Sequence, residues 1–434
     1  MFYKLIKKKS KKSAAKLLKK NFEAYKKMVK FAIQNLLKKT MKLLHTADWH
    51  LGKDLYGYDR KEEFEFFFKE LTRIIKENEI DILLISGDVF DTASPGNATA
   101  KSYYGLINFL HSEFPDLDIV ITGGNHDSPS YLNAPGEILK KFKTRITGCV
   151  LRDENGNIDF DSLVYEISDK AVVCTVPFLR RGDMFKAKDE ILSVGDFYNE
   201  VVTRALAIRG EKNLPIIASG HLTTSNAKYS TTTGGEQVGG QDSVGSENFP
   251  PEVSYYALGH IHRPQPVDDK RFIRYSGSPL AFSFAEKDYN HSVTIVEFCG
   301  KEISEIQLEK IPALIPLKTV PDSPKTLEEV KAELSKLSDD EDMYLEVNLL
   351  QEFINPDNKA AVIETLKNKK AKFCTFKRNV SNAEGTSKTL QSLSAEEFRN
   401  TDPMKIIKEI YRIKQKKELD EEFELMLKKI IEEI

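Results

Sequence analysis

From Met41 onward, short apolar runs alternate with helical segments, and each run ends in a polar cluster. Lys42–Leu44 leads into His45-Thr-Ala-Asp-Trp-His50, Ile82–Ile85 into Ser86-Gly-Asp88, and Asp118–Ile121 into Thr122-Gly-Gly-Asn-His-Asp127. Pro215–Ala218 leads into Ser219-Gly-His221, and Tyr255–Leu258 into Gly259-His-Ile-His262. Between the first two runs, Phe64, Phe67, Phe68, Leu71, Ile74 and Ile75 recur at helical spacing and predict a helix over Arg60–Lys76. Continuous apolar strands alternating with helices predict an α/β fold with strands buried on both faces. The five clusters lie at the carboxyl ends of the strands, where such sheets place their sites.

The rest of the chain is patterned differently. Residues 222–251, with Thr231–Gly235, Gly239-Gly240 and Phe249-Pro-Pro251, read as a long loop beside the site. After a strand over Ser292–Phe298, the Pro-rich stretch Ile311–Pro324 reads as a boundary. Residues 325–377 then predict helix, strand (Met343–Leu349), helix and strand (Ala371–Phe376). Residues 395–434 predict two charged helices, the second carrying an apolar stripe of Leu419, Phe423, Leu427, Ile430 and Ile434. The expected division is a basic extension over 1–40, a main domain over 41–310, a small α/β domain over 311–394 and terminal helices over 395–434.

Charge changes this picture at one end. The net charge of the 434 residues is -2. Residues 1–40 hold fourteen Lys and a single acid, Glu23, so a basic segment precedes an acidic body. Leu18, Phe22, Tyr25, Val29, Ile33 and Leu36 recur among those lysines as on an amphipathic helix. That segment reads either as an arm for nucleic acid or a membrane surface, or as a solvated extension; the latter is preferred, since a start at Met41 would leave a complete domain.

Several classes are excluded. No apolar run approaches the ~20 residues that span a bilayer, and the Lys-rich start lacks the apolar core of a secretory signal. The four cysteines form no CxxC pair, which argues against a thiolate metal site and for a reducing cytosol. There is no GxxxxGK[ST] loop for ATP.

Six of the eight His lie in or beside the five clusters. Imidazole and carboxylate together suit divalent transition metals. Asp48-x-His50 and His260-x-His262 each place two donors on one edge of an extended segment, and Asp88, Asn125 and His221 complete a set of seven. Seven side chains suit two ions that share a carboxylate, an arrangement that stabilises both the attacking and the leaving oxygen of a displacement at phosphorus. His126, beside Asn125 and followed by Asp127, reads as a catalytic imidazole oriented by a carboxylate and able to protonate a leaving oxygen or stabilise the charged phosphorane, the alternative being a cap or an outer partner of a ligand; Asp127 reads otherwise as a loop buttress. Asp91 reads as a turn former or an outer partner of a ligand. His45 reads as structural, Trp49 as a packing residue, and Arg263 and Arg274 as phosphate contacts or internally paired cations.

The series Asp48-Trp-His50, Gly87-Asp88-Val-Phe-Asp91, Gly124-Asn-His-Asp127, Gly220-His221 and Gly259-His-Ile-His262 resembles the calcineurin-like metallophosphoesterase superfamily. The context His45-Thr-Ala-Asp-Trp-His-Leu-Gly52, Phe249-Pro-Pro251 and Tyr275-Ser-Gly-Ser-Pro279 is similar to its double-strand-break repair nucleases. The resemblance, strong over about residues 41–300, implies a β-sandwich flanked by helices, a small α/β cap domain and a C-terminal helical region that docks on an SbcC-type coiled-coil ATPase. It implies one metal on Asp48, His50, Asp88 and His262 and another on Asp88, Asn125, His221 and His260, with manganese preferred and His126 assisting the leaving group. It further implies a cytoplasmic, nucleoid-associated DNA nuclease, exonucleolytic on duplex ends and endonucleolytic on single strands and hairpins, in an assembly with two copies of each component. The alternative within the superfamily is a phosphoesterase for a small substrate, which would have little use for the last 110 residues; a non-catalytic scaffold would not need an intact ligand set.

Overall fold

In the computed structural model the described residues are 40–185, 191–228 and 243–377, with Lys408, Tyr411 and Glu424 beyond them. The basic segment before Thr40 therefore lies outside the described residues, as do Leu419, Phe423, Leu427 and Ile430. The residues through Lys377 form one compact unit and those from Arg378 another. In the second, Lys408, Tyr411 and Glu424 are helical, and Lys408 Nζ stands 2.6 Å from Glu424 Oε2.

Twelve strands build the main body. In chain order they are β1 (Thr40–Thr46), β2 (Ile82–Ser86), β3 (Asp118–Thr122), β4 (Thr144–Thr147), β5 (Val164–Ile167), β6 (Ala171–Thr175), β7 (Ile216–His221), β8 (Tyr255–Gly259), β9 (Gln265–Val267), β10 (Lys270–Tyr275), β11 (Ser292–Cys299) and β12 (Glu302–Lys310). They form two six-stranded sheets, ordered β12-β11-β1-β2-β3-β4 and β5-β6-β7-β8-β10-β9. In the first, β1 to β4 pair in parallel and β11 and β12 join antiparallel on one side only; in the second, β6, β7, β8 and β10 are parallel between antiparallel edge strands β5 and β9.

Alternation along each strand explains the sandwich. Leu43, Ile82, Leu84 and Val120 of the first sheet face Val173, Ile217, Tyr255 and Ala257 of the second. The intervening Leu44, Leu83, Ile85, Ile119 and Ile121 face outward beneath helices α1 (Lys61–Asn78) and α2 (Asn97–Glu113). The second sheet is covered likewise by α3 (Val194–Arg209), through Phe197, Tyr198, Val201, Val202 and Ala205. Strands buried on both faces must be apolar throughout, so the runs in the sequence are continuous rather than alternating. Helix α1 starts one residue later than expected and ends where Glu79 turns left-handed, its N–H donating to the Ile75 and Lys76 carbonyls.

The Pro-rich stretch is more than a boundary. It contains β13 (Leu317–Lys325), which pairs in parallel with β14 (Met343–Leu349), itself parallel to β15 (Ala371–Phe376). Pro321 and Pro324 are tolerated because β13 is an edge strand, where a missing N–H breaks no ladder. Helices α4 (Leu327–Ser335) and α5 (Pro356–Thr365) pack on this small sheet through Val330, Leu334 and Val362. Of the expected loop 222–251, the described parts include a bridge between Thr224 and Val244.

Candidate metal centre

All five motifs meet at one edge of the sandwich. Asp48 and His50 follow β1, Asp88 follows β2, Asn125 and His126 follow β3, His221 ends β7, and His260 and His262 follow β8. The first loop lies along the second: the Asp48 N–H donates to the Gly87 carbonyl and the His50 N–H to the Asp88 carbonyl, each at 3.0 Å. The sheets are tied just below by the Thr122 and Ser219 hydroxyls, 2.8 Å apart.

Local backbone shape matters here. Asp48, His50, Asp88 and His260 have positive φ (54°, 46°, 50° and 94°). This region is costly for side chains in general but is visited several-fold more by Asp and His than by most residues. Gly87 also has positive φ, and a Cβ there would run into the His221 ring; a Cβ on Gly124 would occupy the place of the Asp88 carboxylate.

Among the described residues, donor atoms converge in three groups, of which two hold the expected ligands and the third joins His50 to Asp91 and His126. Asp48, His50 and His262 present ligand atoms mutually within 4.8 Å, and so do Asp88, His221 and His260. In the first, His50 Nε2 and His262 Nε2 are 3.2 Å apart. The Glu286 carboxylate accepts from His262 Nδ1 at 3.0 Å, which leaves the lone pair on Nε2. Asp48 Oδ2 is buried and has no hydrogen-bond partner. In the second, His221 Nδ1 donates to the Ser86 carbonyl at 2.9 Å, so Nε2 turns its lone pair toward Asn125 Oδ1 at 3.0 Å and Asp88 Oδ2 at 3.2 Å. His260 Nδ1 lies 3.1 Å from the same Asn125 oxygen. Asp88 Oδ2 is also 3.6 Å from His50 Nε2, so it stands between the groups. Acceptors that converge on acceptors repel unless a cation lies among them, and this donor set fits divalent ions.

The electrostatics agree. Burial pushes Asp48 up, whereas the imidazoles around Asp88 outweigh its burial and hold that carboxyl far below the usual range. Burial alone would lower His221, but Asp88 and Asp48 raise it to about 9, so without a bound cation a proton on Nε2 takes the place between that ring and Asp88. The field of the carboxylates thus favours positive charge in this pocket.

The structure also assigns the neighbours. His126 Nδ1 donates to the Asp91 backbone carbonyl at 2.9 Å. Asp127 is not the group that orients it, contrary to the sequence expectation. Its buried carboxylate accepts the N–H groups of Val89 (3.2 Å), Phe90 (3.0 Å) and Gly124 (2.9 Å) and so clamps two loops together. Asp91 pairs with Lys53 at 2.7 Å and stands 3.3 Å from His50 Nδ1. His45 is buried against the Tyr255 hydroxyl at 3.0 Å, and Trp49 packs on Phe67 while donating to Thr46 Oγ1 at 2.9 Å. Arg274 is buried, acting on His45 and Tyr255, while Arg263 lies over the Tyr289 ring. Glu286 escaped the sequence reading because it sits in a short turn with no metal-ligand spacing; so did Phe282, which packs on His50 and His262, and Phe178, which packs on His221 and His260.

A helix-flanked double sheet with seven such donors at one edge defines a metallophosphoesterase, and the chain belongs to the calcineurin-like phosphoesterases, whose family model matches residues 41–264. A second model, described as the type 5 capsule protein repressor C-terminal domain, matches residues 314–415. Within that family the chain falls among the SbcD proteins, the D components of the nuclease SbcCD. SbcD of Rhodobacter capsulatus is 36% identical over 278 residues, 60% of this chain and 67% of that protein. SbcD of Escherichia coli K12 is 31% identical over 293 residues, 64% and 70% of the two chains. That of Bacillus subtilis is 33% identical over 261 residues, 59% and 66%.

Proposed function

We propose that the chain is a metal-dependent DNA nuclease that cleaves duplex ends exonucleolytically and single strands and hairpins endonucleolytically, acting with an SbcC-type coiled-coil ATPase in DNA repair and recombination. Asp48, His50, Asp88 and His262 would hold one divalent ion, and Asp88, Asn125, His221 and His260 the other, with manganese preferred. The observation that carries this reading is Asp88 Oδ2, within 3.6 Å of His50 Nε2 and 3.2 Å of His221 Nε2, and so placed to be shared. When bound, two such ions supply the positive charge that stabilises a displacement at phosphorus and makes water a stronger acid.

The chain's own residues do the rest. His126 Nδ1 is committed to the Asp91 carbonyl, so in the imidazolium form Nε2 carries the second proton and passes it to the leaving oxygen, returning to the neutral ring with N–H on Nδ1. Its ring stands 4.8 Å from that of His50, edge to face, so the proton donor borders the first metal group. Asp127 acts by fixing the loops of Asp88 and Asn125. Asp91, through His50 Nδ1, orients a ligand. Among the described residues no helix is long and apolar enough to cross a membrane.

Residues 41–310 form the nuclease domain in this reading, 311–394 the cap, and 395–434 the helices that dock on the ATPase through Leu419, Phe423, Leu427 and Ile430, in an assembly with two copies of each component. The direct test is manganese-dependent degradation of linear duplex DNA by the full chain, with and without the ATPase. Loss of degradation in chelator and its restoration by Mn²⁺ is the expected result. Hydrolysis of small phosphodiesters alone, with the ATPase present, would replace the nuclease reading by a small-substrate phosphoesterase.

A further inference from the structure

The small domain built on β13, β14 and β15 touches the main body near one of the two donor groups, by two routes. The first is polar. Tyr344 of β14 is buried, and its hydroxyl donates to Glu63 Oε2 at 2.8 Å. Glu63 is held by Arg60 through Nε at 2.9 Å and Nη2 at 2.6 Å, all three side chains being buried. Arg60 Nη1 donates to the Ala281 carbonyl at 2.6 Å, and its guanidinium lies 5.6 Å from the centroid of the Phe282 ring. That ring packs edge to face on His50 and His262, with centroids 5.2 and 5.5 Å away.

The second route is apolar. Phe284 is buried in a cluster with Leu55, Ile315 and Tyr344. It opens the turn Phe284–Glu286. Glu286 then reaches back with both oxygens: Oε2 accepts the Phe282 N–H at 2.8 Å and Oε1 accepts from His262 Nδ1 at 3.0 Å. A carboxylate on the far nitrogen of a ligating imidazole fixes its tautomer and its direction. The turn that carries this carboxylate is thus gripped at Ala281 by Arg60 and at Phe284 by the small domain.

Among the described residues the other group has no such attachment. The partners of His221, His260 and Asn125 described above, namely Ser86, Asp88 and Phe178, all belong to the sandwich. Resting on the two-ion reading of the site, we propose that Glu286 is a positioning residue for the Asp48–His50–His262 half of the centre and that the docked small domain, through Tyr344 and Phe284, holds it in place, so that this contact sets the cation affinity of that half alone. The two ions are then inequivalent: one rests on a rigid sandwich edge, the other on a turn whose shape depends on a second domain.

The experiment is Mn²⁺ titration of the full chain by calorimetry, with the exchange-coupled pair followed by electron paramagnetic resonance, for the unaltered protein, Glu286→Gln and Tyr344→Phe. Glu286→Gln should weaken one binding event by roughly 10- to 100-fold, the range for loss of an outer partner of a ligand. Tyr344→Phe, which removes a single oxygen remote from the ions, should weaken the same event by less. The second event should keep its affinity in both variants. Equal weakening of both events, or no change in either, would overturn the inference. Should Tyr344→Phe fail to fold by near-ultraviolet circular dichroism, Phe284→Leu tests the apolar route with the same readout. If the unaltered chain binds fewer than two Mn²⁺, the two-ion reading itself is wrong, a result separate from the behaviour of the variants.

Discussion

Asp127 Oδ2 accepts the backbone N–H of Gly124 at 2.9 Å, three residues back along its own loop. The same carboxylate reaches across to Val89 and Phe90. An amide offers one acceptor oxygen in place of two and adds an N–H₂ that faces other donors. Asp127→Asn should therefore destabilise the fold by about 2–3 kcal/mol, the scale of hydrogen bonds to a charged group lost in a buried setting. Urea unfolding checks this. An unchanged midpoint with a collapsed turnover would instead make Asp127 part of the chemistry.

The His126 ring donates to the Asp91 carbonyl and packs on His50, while its backbone N–H is what bonds Asp88 Oδ1. His126→Ala should thus retain both cations while losing about 10²- to 10⁴-fold in nuclease rate, the usual contribution of a proton donor. Parallel rate measurements and Mn²⁺ titration separate the two effects. A variant that has lost metal along with activity would count against the assigned role.

Asp88 stands between the two donor groups, so its replacement should not spare either ion. Asp88→Asn should abolish tight binding of the pair, whereas His260→Ala should weaken one ion more than the other. Metal content after dialysis, measured by plasma emission, gives the count. Retention of two ions by Asp88→Asn would remove the shared carboxylate from the scheme.

His45 gives a pH dependence whose causes are burial and Arg274 rather than the candidate ligands. Burial, reinforced by the charge of Arg274, lowers its folded pKa to about 3 from the ordinary 6.5. The unfolded chain therefore takes up this proton near pH 6.5, and the folded chain only near pH 3. The stability it contributes is complete above pH 6.5 and is lost as the pH falls toward 3, amounting to roughly 2 kcal/mol lost by pH 5. In His45→Gln the difference in urea stability between pH 7 and pH 5 should shrink by about that amount. The same slope with and without the imidazole would refute the assignment.

The stripe Leu419, Phe423, Leu427 and Ile430 is the proposed docking surface for the ATPase. A charge at its centre opposes burial against a partner. Phe423→Asp should weaken capture of the coiled-coil ATPase by at least about tenfold while DNA-independent cation binding stays intact. Undiminished capture would move the docking surface elsewhere on the chain.

The convergence of the candidate metal ligands was legible in the sequence because each donor motif ends a strand, and parallel strands bring their carboxyl ends to one edge. Seven positions spread from Asp48 to His262 could be gathered by that rule alone. What the rule could not see is what a donor leans on. Asp127 and His126 are adjacent in sequence, so proximity suggested a pair, yet the backbone sends one inward to three N–H groups and the other to the Asp91 carbonyl. Glu286 supports His262 from a turn with no periodicity to mark it, and Tyr344 meets Glu63 across 281 residues. The strand β13 was obscured by its prolines, which signal a break in an isolated sequence and are harmless on a sheet edge.

Asp48, His50, Asp88 and Asn125 hang from the first sheet, and His221, His260 and His262 from the second. A cation pair seated among them would therefore be a cross-link as well as a reagent, stapling the open edge of the sandwich much as a disulfide closes a loop. Metal supply and mechanical integrity would then be the same variable, since an ion that binds only the folded state stabilises it in proportion to the logarithm of its concentration. A cell short of the ion would lose the protein's durability together with its activity.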